Sequence, residues 1–209
     1  LIMMSMQLGG VTMAALGWLG SILTCALPMW KMTAYVGSNV MMGQLCSEGL
    51  WLKCTYEPTG QTQCKAYDSL LELTPDLQTA RVMVVTALFV SLVGFIIFLA
   101  GGDFTRCFDD NSRKNRYTMV SGALFIVAGI LILIPVSWTA DNIISNFYSS
   151  IAPEALNREL GAALYIGWAA SILLILGGVI MCRSGDYSPQ DSYPRKYKVV
   201  KTIDPAGCP

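Results

Sequence analysis

Four mostly apolar stretches, at about 8–28, 82–102, 118–138 and 162–182, are separated by polar segments of very unequal length. A helix crossing the hydrocarbon core of a bilayer needs about 20 mostly apolar residues. Each stretch therefore predicts one transmembrane helix, and nothing else in the chain is long enough. The first is read as a span rather than a cleaved leader, because no basic residue precedes it and it stays uncharged for longer than a leader's apolar region. The polar segment at about 29–81 does not read as a linker. Trp30, Met32, Ala34 and Val36 share one face of a candidate strand, and Leu50, Leu52 and Cys54 share a face of another. Gly37-Ser38-Asn39 and Glu57-Pro58-Thr59-Gly60 supply the turns between them. The pattern predicts a small antiparallel sheet, too small to bury a core of its own. After it, Ser69-Leu70-Leu71-Glu72-Leu73 and Asp76-Leu77-Gln78 predict a short amphipathic surface helix leading to Arg81 and the second span. In the third span Pro135 removes a backbone donor and predicts a bend. Beyond it, residues 141–148 lack helix breakers, so this helix is expected to continue past the membrane toward Asn146.

Composition agrees with a membrane protein: of 209 residues, 54% are apolar and 13% charged, and there is no histidine. Lysine and arginine concentrate in two short stretches, at Arg106, Arg113, Lys114 and Arg116, and at Arg183, Arg195, Lys196, Lys198 and Lys201. The positive-inside bias places those stretches in the cytoplasm, with both termini, and leaves the loops at about 29–81 and 139–161 outside. That compartment reads the cysteines. Cys46, Cys54 and Cys64 lie in an oxidising exterior, and a Cys54 to Cys64 disulfide is the economical pairing. Cys46 is then left over, as a buried apolar residue, a free thiol or a member of another pairing. Trp30 and Trp51 are expected at the lipid boundary, where amphipathic indoles seat a sheet on a membrane. Glycines recur within the spans, among them Gly10, Gly17, Gly122, Gly129, Gly177 and Gly178, with Gly161 at the start of the fourth, and favour close helix contact.

The spans carry no Asp, Glu, Lys, Arg or His, which argues against a proton relay or ion path through the bundle. With no histidine and no glycine-rich phosphate loop, no constellation of acid, base and nucleophile is evident, and neither a cofactor nor a nucleic-acid partner is expected. The reading gives a four-span domain at 1–183 and a Ser-, Pro-, Tyr- and Lys-rich disordered cytoplasmic tail at 184–209.

Trp30, Gly49-Leu50-Trp51, Cys54 and Cys64 follow in the order W-GLW-C-C, and Arg81 stands at the second span. Together with ALPMW, PTGQ, QCKAYDSLL, PVSWTA and GAALYIGWAA, this order resembles the claudin family over nearly all of residues 7–182. The resemblance implies a mainly α membrane protein, a left-handed bundle of four transmembrane helices under an extracellular antiparallel sheet of about five strands, the fifth from the second loop. It implies a structural, non-enzymatic protein of the plasma membrane at tight junctions. Its partners would be membrane lipids, itself and other claudins, side by side and across the cell contact. In such a protein Leu70 would insert against Phe147, Tyr148 and Leu160 of the next copy. Lys65 would bear on charge selectivity, with Glu57 and Asp68 close enough in sequence to offset it. A unit charge about 4 Å from an ion is worth roughly 1 kcal/mol in bulk water and roughly 4 at a surface-like dielectric. A barrier disfavouring cations is therefore the favoured reading. The alternatives are a pore-forming claudin and an auxiliary subunit of an ion channel or receptor.

Several residues depart from the family pattern. Cys107 and Cys182 stand where paired palmitoylated cysteines are usual, so acylation at reduced multiplicity is expected. After Phe147-Tyr148 comes Ser149-Ser150-Ile151-Ala152 in place of the motif that binds a bacterial enterotoxin. The sequence ends Gly207-Cys208-Pro209, so no C-terminal ligand for a PDZ scaffold is present as written. Ser188 and Ser192 are generic phosphorylation candidates.

Overall fold

The computed structural model describes residues 2–35, 44–101, 111–149 and 156–186. Val36, the Gly37-Ser38-Asn39 turn, Cys107, residues 150–155 and the tail from 187, with Ser188 and Ser192, lie outside the described residues. In chain order the elements are α1 (Ile2–Ala26), β1 (Lys31–Tyr35), β2 (Gln44–Glu48), β3 (Leu52–Tyr56), β4 (Thr62–Ala66), a single 3-10 turn (Leu70–Glu72), α2 (Pro75–Gly101), α3 (Asn111–Ser149), β5 (Leu156–Leu160) and α4 (Ala162–Asp186). Among the described residues, four helices are long and apolar enough to cross a membrane: Ser5–Ala26, Pro75–Gly101, Asn115–Tyr148 and Ala162–Gly185. Their outward faces carry Leu8, Leu16, Phe89, Ile96 and Ile172. So many exposed apolar side chains suit lipid as the surrounding medium.

α4 lies between α1 and α3, while α2 packs on α3 and touches α1 only lightly. Two successive glycines let α4 serve both neighbours. A methyl group at Gly177 would sit 2.7 Å from the Gly10 carbonyl oxygen of α1, and one at Gly178 would sit 2.5 Å from the Gly122 carbonyl oxygen of α3. Neighbouring positions on a helix point about 100° apart, so each glycine opens its own seam. Around these seams Ala14, Phe125, Ile132, Val136, Leu174 and Met181 are buried. Hydroxyls within the spans are satisfied by their own helix: Ser21 donates to Gly17, Thr24 to Gly20 and Ser91 to Ala87. Lipid offers them no partner.

The sheet order is β4-β3-β2-β1-β5, with every neighbouring pair antiparallel, so the second polar loop supplies an edge strand beside the first strand of the first loop. One row across it reads Met32, Ser47, Cys54 and Cys64, and the adjacent row reads Lys31, Glu48, Lys53 and Lys65. In β1 the sequence pattern misplaces the buried face. Lys31 and Thr33 are buried, whereas Met32 and Ala34 are only half-buried. The reason at Lys31 is specific: its stem is covered while its ammonium reaches Asp76 in the first turn of α2 at 3.9 Å.

The predicted surface helix also resolves differently. Only Leu70–Glu72 forms a separate turn, and Asp76-Leu77-Gln78 already belong to α2. Pro75 occupies the first helical position, where its missing N–H costs nothing. The Thr74 carbonyl accepts from Gln78, and Asp76 complements the positive end of the helix. α3 runs 39 residues, with Pro135 inside it, to Ser149. At about 1.5 Å per residue that is about 58 Å, far more than the roughly 30 Å of a bilayer core. Its far end reaches the sheet and packs on β5. α4 likewise continues to Asp186, past residue 184 where the tail was expected to begin.

Candidate assembly and permeability sites

Trp30, Gly49-Leu50-Trp51 and Arg81 gather at the seam between sheet and bundle. The chain leaves α1 through Leu27-Pro28-Met29-Trp30, and this link is held from both sides. The Trp30 amide donates to the Glu48 carbonyl at 2.9 Å, the Gly161 amide donates to the Trp30 carbonyl at 3.3 Å, and the Ala163 amide donates to the Met29 carbonyl at 3.1 Å. Gly49 packs so closely on Pro28, and Gly161 on the Met29 carbonyl, that a side chain at either would overlap backbone. Gly161 is thus not one of the glycines that bring helices together, as its place in the sequence suggested. It lets β5 turn into α4 across the link.

Trp30 is fully buried, and its Nε1 donates to the Thr24 carbonyl at 2.8 Å, one of the carbonyls left open at the end of α1. That corrects the expectation of a lipid-boundary anchor: this indole is core. Leu50 is also fully buried, whereas Trp51 remains 40% exposed. The Trp51 Nε1 donates to Cys25 Sγ at 3.3 Å, and the Arg81 guanidinium lies 3.7 Å above its ring, a cation–π contact joining the turn before β3 to α2. Beside it the Tyr67 hydroxyl donates to the Gly49 carbonyl at 3.1 Å. Burial, and then the nearby Glu48 carboxylate, push this phenol up to about 12.

The other end of the sheet is a rim. All of β4 is exposed, including Cys64, which forms a disulfide with the buried Cys54 directly opposite on β3. Cys46 is buried in β2, in register with Thr33 and Thr55. The hairpin closes at Gly60, whose φ of +85° suits glycine. Lys65 stands opposite Lys53, and its Nζ lies 2.5 Å from Asp68 Oδ2. That hydrogen bond, then the Asp68 charge, hold its pKa above the ordinary lysine value. Glu57 is elsewhere: it sits at the hairpin tip, where its carboxylate accepts from Thr59. It lies four residues beyond Lys53 along the chain, roughly 13 Å at about 3.3 Å per residue, more than a Debye length in physiological salt. Glu72, which sequence distance did not single out, is the second carboxylate whose field reaches Lys65.

A third feature opens between the end of α3, β5 and the start of α4. Ile143, Ile144, Phe147, Tyr148, Glu159, Leu160 and Tyr165 line a groove of about 480 Å³. Phe147 is 57% exposed and Tyr148 83% exposed, with their rings edge to face at 5.9 Å. Three of the residues named from sequence thus meet in one groove, joined by two isoleucines, Glu159 and Tyr165, which carried no signal of their own. Leu70 lies in the 3-10 turn, its side chain outside the described residues, and next to it Leu71 is 95% exposed. The Cys182 thiol points into the α3–α4 seam, donating to the Met119 carbonyl at 3.6 Å.

Four spans capped by a five-stranded, disulfide-closed sheet define a four-span membrane protein with a folded loop domain at one end. The PMP-22/EMP/MP20/Claudin family matches residues 4–181. Claudin-4 of Bos taurus is 46% identical over 199 residues, 95% of either chain. Claudin-3 of Homo sapiens is 46% identical over 200 residues, 96% of this chain and 89% of its own, and claudin-6 of Homo sapiens is 50% identical over 177 residues, 85% and 80%. The chain belongs to the PMP-22/EMP/MP20/Claudin family and, within it, to the tight-junction claudins.

Proposed function

We propose that this claudin polymerises side by side into strands that seal the space between cells and disfavour the passage of cations. In this reading the sheet is extracellular, both termini are cytoplasmic, and copies of this or other claudins meet within one membrane and across the contact. The observation that carries it is the open groove at the end of α3, with two exposed aromatic rings on its wall. Such a surface suits an apolar knob, and anchors of this type dominate interface energies. We assign the knob to Leu70 of the next copy, which lies in the 3-10 turn beside the exposed Leu71. Lys65, on the exposed rim of the sheet, supplies the charge that disfavours cations.

Freeze-fracture of cells that lack strands of their own tests the assembly. The wild-type chain is expected to form strands at cell contacts. The Phe147→Ala/Tyr148→Ala double variant is expected to reach the surface and form few or none. Normal strands from the double variant refute the groove as the contact. A diffuse wild-type distribution favours a partner other than itself.

A further inference from the structure

Lys65 does not present a bare charge. Its ammonium lies 2.5 Å from Asp68 Oδ2, and the Asp68 amide donates to Glu72 Oε2 at 3.3 Å, so one cation is gathered with two carboxylates in the few residues that leave β4. The other lysines of the same row are themselves paired, Lys53 with Glu48 at 3.5 Å and Lys31 with Asp76 at 3.9 Å. An ion about 4 Å from the Lys65 Nζ, with the Asp68 oxygen about 2.5 Å farther away, loses roughly three-fifths of the interaction with the ammonium, whatever the common dielectric. Glu72 removes more. Sequence alone weighed Glu57 in this role, but Glu57 is at the far tip of the hairpin.

We propose that Asp68, backed by Glu72, sets how much of the Lys65 charge a passing ion feels, so that charge preference belongs to the group of three and not to Lys65 alone. This deepens the reading of Lys65 as a permeability residue and rests on it. The full chain is expressed in a low-resistance epithelial monolayer, and dilution potentials are recorded for wild type and for Lys65→Gln, Asp68→Asn and Glu72→Gln, each matched for surface amount. Asp68→Asn is expected to lower the sodium-to-chloride permeability ratio about two- to fivefold, the span of an exposed ion pair. Glu72→Gln is expected to act in the same direction by less, and Lys65→Gln in the opposite direction. If Lys65→Gln moves the ratio and Asp68→Asn does not, the inference falls and the permeability role of Lys65 stands. If neither moves it, both fall.

Discussion

Beneath the sheet, the seam is made of buried backbone: the link at Leu27 to Trp30 is held by main-chain hydrogen bonds and by two glycines that admit no side chain. At the rim, every residue of β4 is exposed and the contacts are between charged side chains. The difference separates two kinds of information in the same loop. Contacts at the seam are desolvated and sterically exact, so a change there acts on whether the chain folds. Contacts at the rim are screened by water and weak for stability, so charges there can change with little penalty to the fold and are free to serve the permeability role proposed above.

The two tryptophans of the signature give the largest test of that contrast. Trp30→Ala removes a fully buried ring and is expected to cost about 3–5 kcal/mol, read as a large loss of melting temperature of the purified protein in detergent. Trp51→Ala removes a partly exposed ring and its cation–π contact, for about 1–2 kcal/mol. Equal losses would break the distinction between seam and surface.

A glycine pair comes next. Gly161→Ala forces a methyl group onto the Met29 carbonyl and is expected to cost about 1–3 kcal/mol or more. Gly9→Ala, in a helix position with nothing within 4 Å, is expected to gain about 0.5–1 kcal/mol through helix propensity. Thermal melts of both variants in the same detergent decide the sign of each.

The smallest effect expected is a pH dependence. Tyr67 ionises at about 12 in the fold and at about 10 in an unfolded chain. The fold favours the neutral phenol, so its contribution is fully present below about pH 10 and is lost as the pH rises through the folded value. Tyr67→Phe is expected to flatten this alkaline loss of stability, and melts from pH 9 upward that show the same slope in both proteins would exclude it.

Much of this was legible in the sequence, for physical reasons that can be named. Spans follow from hydropathy, because bilayer thickness fixes their length, and the disulfide follows from compartment and the proximity of Cys54 to Cys64. Phe147, Tyr148 and Leu160 could be grouped only through family resemblance, since the groove joining them depends on α3 running on to meet β5. Trp30 was misread because an indole in a polar loop looks the same whether its Nε1 meets a lipid headgroup or the open carbonyl of Thr24. Gly161 was misread because a glycine at the start of a span looks like any other helix-packing glycine until the neighbouring link is in place. Glu72 was overlooked and Glu57 favoured for the same reason: a hairpin carries one away from Lys65, and the turn after β4 brings the other back.

The hold of Gly161 on the link after α1 has a consequence for how such proteins can be recombined. Because β5 shares a ladder with β1 and its next residue abuts Met29, the second loop is not a separable module. A graft that imports residues 156–161 from a relative must also match the α1–β1 junction it closes against. A graft of Thr62 to Glu72, by contrast, crosses one strand pairing, one disulfide and the Tyr67 hydrogen bond to Gly49, and with Tyr67 retained it is the exchange expected to transfer ion preference while leaving the recipient's architecture intact.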